Sequence, residues 1–153
     1  MSHLEMPEAP LAQMDVLIGL RPANKSALLV DLARNAALAA GQPAETIAAA
    51  LAAREALGST GIGRGVAVPH ARMAGLTQVV CLLAMLTKPI TFESVDGKPV
   101  DVVFLLLSPA DASAQHLATL AAATRRLRRA ETIAALRAAT SPQAALAAFL
   151  AAE

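Results

Sequence analysis

Residues 54–70 read REALGSTGIGRGVAVPH, and the rest of the chain is organised around this stretch. A helical pattern ends at Leu57, a glycine-rich turn follows, and Val66-Ala67-Val68 form a short apolar strand. Gly61, Gly63 and Gly65 open backbone conformations closed to residues with a Cβ. Pro69 fixes φ and has no N–H to donate, so the strand is expected to end there. His70 then stands just past a buried strand, held rigidly yet facing solvent. That position suits a nucleophile or a proton-transfer group.

Outward from this stretch lie two apolar runs of strand length, Val79–Leu86 and Val100–Leu107, the second interrupted only by Asp101. Continuous apolar runs of this kind belong to strands covered on both faces. Lys88-Pro89 is expected to break the first, Asp96-Gly97-Lys98-Pro99 to turn the chain, and Ser108-Pro109 to end the second. Helical patterns surround them. Asn24 is a natural N-cap for a helix through Ala39 or Ala40, with Gly41 as its stop. Leu28, Leu29, Leu32 and Ala36 follow the 3.6-residue period of its buried face. Pro43 suits the first turn of a helix running to about Leu57. Ser113 can cap a helix from Ala114 to about Arg128, a further one spans about Glu131 to Ala139, and Ser141-Pro142 opens the last. Residues 1–20 read as a loosely ordered N-terminal segment, with a short strand or turn around Val16–Leu20, and residues 21–153 as one domain. Helices around buried strands predict an α/β domain.

Composition narrows the function classes. At 153 residues the chain is large enough for one substantial core. It is 56% hydrophobic, but no apolar run approaches the roughly 18 residues of a spanning helix, so no membrane insertion is expected. The opening MSHLEMPEAP carries acidic residues and no apolar core of a secretory signal. A single cysteine, Cys81, rules out a disulfide framework and fits a reducing, cytoplasmic location. A formal charge of +1 offers no case for nucleic acid.

The glycine turn differs from nucleotide-binding loops. It lacks the Lys-Ser/Thr of a P-loop, and its G-x-G-x-G runs from helix to strand, the reverse of a dinucleotide fingerprint. A tight turn delivering a strand accounts for the glycines. Zinc is disfavoured by the spacing of His70, His116 and Cys81, and no G-x-S-x-G supports a serine hydrolase. His116 lies in the first turn of the helix after Val100–Leu107. Ligands of α/β sheets bind beyond the carboxyl ends of strands, so the two imidazoles can meet if their strands are parallel neighbours. His3 reads as solvated. Arg54 is either a solvated helix residue or a guanidinium clamping an anionic group at His70. Ser59 and Thr60 either bond within the turn or donate to that anion. Arg125, Arg126, Arg128 and Arg129 read as a solvated basic face at a helix end.

Arg54, the LGSTGIGRGVAVPH stretch, PVDVVFLLLSPAD (Pro99–Asp111) and QHLATL (Gln115–Leu120) together resemble the enzyme IIA domain of the fructose/mannitol class. These domains belong to the phosphoenolpyruvate-dependent phosphotransferase system. The GSTGIG…PH form is most like its nitrogen-regulatory branch, and the match runs from about Asn24 to the C-terminus. The resemblance implies a mixed β-sheet flanked by helices on both faces, a three-layer sandwich. It implies that His70 accepts a phosphoryl group from the phosphohistidine of an HPr-like carrier (NPr). His116 lies beside it and stabilises that group, and Arg54 maps to the arginine ahead of the turn. No metal and no cofactor is implied. Partners are the carrier and regulated proteins such as transporters or sensor kinases. A sugar-specific IIA component passing phosphate to a separate IIB is the alternative, and a binding module that has lost phosphotransfer ranks third. Arg64 and the Ala71-Arg72 pair depart from the usual pattern at positions expected near the carrier-docking surface.

Overall fold

Val100–Pro109 (β6) is the strand on which the other layers are assembled. In the computed structural model, which describes residues 8–152, it lies at the middle of a mixed sheet. On one side it pairs antiparallel with Val80–Ile90 (β5), which pairs parallel with Asp15–Leu20 (β1). On the other side run Val66–Ala67 (β3) and His70–Met73 (β4), both parallel to β6. Gly61–Gly63 (β2) closes that end as a hairpin with β3.

Alternation along the central strands builds two cores, because successive side chains point to opposite faces. Val103, Leu105 and Leu107 join Leu82, Ala84 and Leu86 beneath Lys25–Ala40 (α2) and Ala44–Ala56 (α3). Val102, Phe104 and Leu106 join Cys81, Leu83 and Met85 on the other face. That face is covered by Glu8–Ala12 (α1), Ser113–Leu127 (α4), Ala130–Ala138 (α5) and Pro142–Ala151 (α6). The result is the expected mixed sheet with helices on both faces.

Local signals set several boundaries as the sequence predicts. The Asn24 side chain accepts from the Ala27 N–H at 2.9 Å, and Gly41 ends α2 in the left-handed region at φ +63°. Ser141 caps α6 by accepting from the Ala144 N–H at 3.1 Å, with Pro142 in the first turn.

Other expectations are corrected. Within the segment read as loose, Glu8–Ala12 form α1 with Leu11 fully buried, whereas the strand or turn expected around Val16–Leu20 is the strand β1, which gains its ladder from β5. Lys88-Pro89 does not end β5. Pairing jumps from Met85↔Val102 to Ile90↔Val100, and Pro89 sits in that irregularity, where no ladder donor is required. Pro43 precedes α3 in extended conformation, and Ala112, not Ser113, occupies the cap position of α4. Pro69 interrupts the strand without ending it. Val66↔Val102, Ala67↔Val103 and His70↔Leu106 keep one register, because the Pro69 carbonyl still accepts from the Leu106 N–H at 3.1 Å.

Candidate functional site

The glycine-rich turn is pinned from below by a carboxylate. Glu55, buried at the end of α3, accepts from the Thr60 N–H at 3.1 Å and from the Thr60 hydroxyl. Its other partner is the Lys25 ammonium at 3.0 Å. Ser59 donates to the Phe92 carbonyl at 2.7 Å and accepts from the Gly61 N–H. Both hydroxyls therefore bond within the scaffold, the first of the two roles the sequence allows them.

Consecutive helix residues diverge by about 100°, so Arg54 points away from Glu55 and out over the edge of the sheet. Among the described residues β4 pairs only with β6, and its outer edge is open to α3. Across that edge the Arg54 guanidinium donates from Nε to His70 Nε2 at 3.3 Å and from Nη1 to the Gly58 carbonyl at 2.9 Å. Period-two alternation sends His70 to the same face as Val66 and Val68, the face covered by α4. There its ring meets His116 at a centroid separation of 5.4 Å and a tilt of 53°. The structure thus brings His70, His116 and Arg54 together.

The backbone assigns the His70 tautomer. Its Nδ1 lies 2.8 Å from the Val68 carbonyl oxygen, which can only accept. Nδ1 therefore carries the hydrogen, and Nε2 holds a lone pair towards Arg54. Burial holds the His70 pKa below its usual 6.5, with the Arg54 charge adding to the effect and the Val68 carbonyl and Glu55 opposing it. The His116 pKa is lowered to about 4, by burial first and then by His70 and Arg72. Both rings are neutral near pH 7.

The two histidines open onto a cleft of about 660 Å³. Its rim carries Leu57 and Leu117, exposed by 85% and 65%, and Arg72, which donates to Ser113 at the start of α4. Arg72, one of the positions expected near the docking surface, lies on this rim, whereas Ser113 and the two rim leucines carry no signal in the sequence that marks them as cleft residues. Ser108, fully buried, stands 2.7 Å from His116 Nδ1; the sequence marks it only as the polar residue that ends an apolar run.

The remaining candidates fall elsewhere. Arg64 sits in the β2–β3 turn at φ +60°, beside the start of β6, whereas His70 pairs with Leu106 near its end. Cys81 is buried in β5, its thiol pushed up to about 12 by burial. Arg126 does not belong to a solvated face. It is 4% exposed, pairs with Glu8 at 3.3 Å and packs over the Phe149 ring, because α1 folds back onto α4. His3 lies outside the described residues.

The family model described as "Phosphoenolpyruvate-dependent sugar phosphotransferase system, EIIA 2" matches residues 11–152. A nitrogen regulatory protein of Bradyrhizobium diazoefficiens is 43% identical over 129 residues, 84% of each chain. One from Pseudomonas aeruginosa is 42% identical over 101 residues, 66% of each chain. The solved nitrogen regulatory protein IIA-Ntr of Neisseria meningitidis superposes with a TM-score of 0.84 at 31% identity, covering 92% of this chain and 94% of that one.

Proposed function

The chain belongs to the EIIA 2 family of the phosphoenolpyruvate-dependent sugar phosphotransferase system, and we propose that His70 accepts a phosphoryl group from an HPr-like phosphohistidine carrier. The observation that carries this reading is the His70 ring itself. Its Nδ1 hydrogen is committed to Val68, and its Nε2 lone pair faces a cleft beside Arg54 and His116. A neutral imidazole so oriented is a ready nucleophile at neutral pH.

In the transfer, His70 Nε2 forms a bond to phosphorus as the bond to the carrier's ring nitrogen breaks. That nitrogen leaves with the electron pair. The bond made and the bond broken are of one kind, so the step runs readily in both directions, as a carrier or reporter requires. Arg54 turns its donors from the Nε2 lone pair to the phosphoryl oxygens, and His116 flanks the same group. Alignment and charge stabilisation of this sort supply most of what phosphoryl transfer asks of a protein.

The rim leucines Leu57 and Leu117 offer apolar area for the docking carrier. The phosphorylation state of His70 then decides which regulated protein, a transporter or a sensor kinase, engages this face in the cytoplasm. The regulatory role is favoured over delivery to a sugar-specific IIB because the nitrogen regulatory protein of Bradyrhizobium diazoefficiens aligns with this chain over 84% of its length.

The test is intact-mass analysis after incubation with phosphoenolpyruvate, enzyme I and the HPr-like carrier. A single acid-labile adduct in the parent, absent in His70→Ala, is the expected result. No adduct with an active donor would leave a binding module, and discharge onto an added IIB would favour the sugar-specific role.

A further inference from the structure

The two histidines are held from behind by partners of different kinds. Behind His70 is a carbonyl, which can only accept; behind His116 is the hydroxyl of Ser108, at 2.7 Å from Nδ1. Ser108 lies in β6, is fully buried, and among the described residues its hydroxyl has no hydrogen-bond partner other than His116.

A hydroxyl brings one hydrogen as well as lone pairs. If His116 Nδ1 carried a hydrogen and donated it to Ser108, the serine's own hydrogen would be buried with no acceptor. An unmade bond of that kind is costly in a dry site. The favourable arrangement is the reverse. The serine hydroxyl donates to His116 Nδ1, and the ring keeps its hydrogen on Nε2.

We propose that Ser108 is a positioning residue that locks His116 in the Nε2–H tautomer, opposite to the tautomer of His70. The locked ring is a neutral hydrogen-bond donor at the cleft, ready for an anionic oxygen without first having to gain a proton. His70, with its hydrogen on Nδ1, presents a lone pair to the same space. Of two like rings, one is thereby set to attack and the other to donate. Ser108 and His70 project from the same face of the sheet, on neighbouring strands in register, which is how the backbone maintains the pair. The role given to the donor rests on the proposed phosphoryl transfer; the tautomer does not.

The deciding measurement is the histidine ring nitrogen spectrum of the ¹⁵N-labelled protein near neutral pH. The expected result is an unprotonated Nδ1 for His116 and an unprotonated Nε2 for His70. In Ser108→Ala the His116 signals should move to the opposite tautomer or an average of the two, with His70 unchanged. Ser108→Thr, which keeps the hydroxyl, should hold the parent pattern, and Ser108→Cys, a weaker donor of similar size, should fall between. Transfer from the phosphorylated carrier should slow by about 10-fold or more in Ser108→Ala, the size usual for loss of a group that orients an imidazole. KM for the carrier should hold. A parent protein with hydrogen on His116 Nδ1, or a Ser108→Ala spectrum identical to the parent's, overturns the proposal. A parent that takes no phosphoryl group overturns the phosphocarrier reading instead, and the spectra still decide the role of Ser108.

Discussion

Arg54 Nε donates to His70 Nε2 across 3.3 Å, so the lone pair proposed to attack phosphorus is already covered by the side chain that would receive the incoming charge. The arginine is anchored by its second bond, to the Gly58 carbonyl at 2.9 Å, and by the capped end of α3. A guanidinium with several donors can hold that carbonyl and still turn a face to a phosphoryl group. The arrangement gives the first prediction.

Arg54→Lys keeps a cation but loses the planar fork, and Arg54→Met loses both. Phosphoryl transfer to His70 should fall by about 10²–10³-fold in Arg54→Met, the cost typical of removing one donor aimed at developing charge. Arg54→Lys should recover part of the loss. Rapid-quench measurement of transfer from the phosphorylated carrier checks both. Equal rates in Arg54→Met and the parent would remove Arg54 from the site.

Acidification should cost stability in a defined window. An unfolded histidine takes up a proton near pH 6.5, whereas folded His116 does so only near 4. Between those values the unfolded state binds more protons, so stability falls as pH drops and levels off below about 4. Urea denaturation from pH 7 to 4 should therefore show a smaller loss in His116→Gln than in the parent.

Phosphorylation should move the same ring the other way. A dianionic group on His70 favours the charged form of a histidine standing 5.4 Å away, ring to ring. The His116 pKa should rise from about 4 towards the ordinary range on phosphorylation, as read by NMR titration. An unmoved titration would mean that the phosphoryl group points away from His116.

Glu55 should matter for the turn more than for the chemistry. Glu55→Ala strips the Thr60 N–H, the Thr60 hydroxyl and the Lys25 ammonium of a shared partner. Unfolding free energy should drop by about 1–3 kcal/mol, the usual cost of unsatisfied buried polar groups. Thr60→Val should lose less, since Lys25 keeps its carboxylate. Chemical denaturation of the two variants tests the order.

Gly65 takes φ +83°, and a Cβ there would stand 3.0 Å from Asp101 Oδ1 and collide with the Arg137 guanidinium. Gly65→Ala should destabilise by about 1–3 kcal/mol through backbone strain and a disturbed Arg137–Asp101 pair. Gly41→Ala, also at positive φ but with open space around it, should cost less. A thermal melt of each decides the ranking.

Much of the fold is legible in the residues. Asn24, Gly41 and Ser141-Pro142 mark helix ends because capping is a matter of neighbours within a few positions. The apolar runs of β5 and β6 mark buried strands because both faces of each are covered. Around Val16–Leu20 the residues alone leave strand and turn open, because the order of β1 comes from the β5 ladder and not from its own pattern. Pro89 misleads for a related reason: a proline ends a strand only where a ladder donor is needed, and a bulge removes that need. Arg126 looks like one more surface charge until α1 supplies Glu8 and α6 supplies Phe149.

By itself, then, the sequence determined the class of fold, the turn ending in Pro69-His70, and the motifs that marked Arg54, His70 and His116 as candidates. The first two rest on patterns along the chain, and the roles of Arg54 and His116 on the resemblance that their motifs carry. The tertiary structure alone decided that Arg54 reaches round the open edge of β4, that the two rings expected side by side meet at 5.4 Å with a tilt of 53°, and that Val68 and Ser108 stand behind their Nδ1 atoms. Those facts depend on register between strands and on which way a side chain turns in a packed interior. Hydrogen-bond direction follows from the partners that packing delivers, and no local run of residues encodes them.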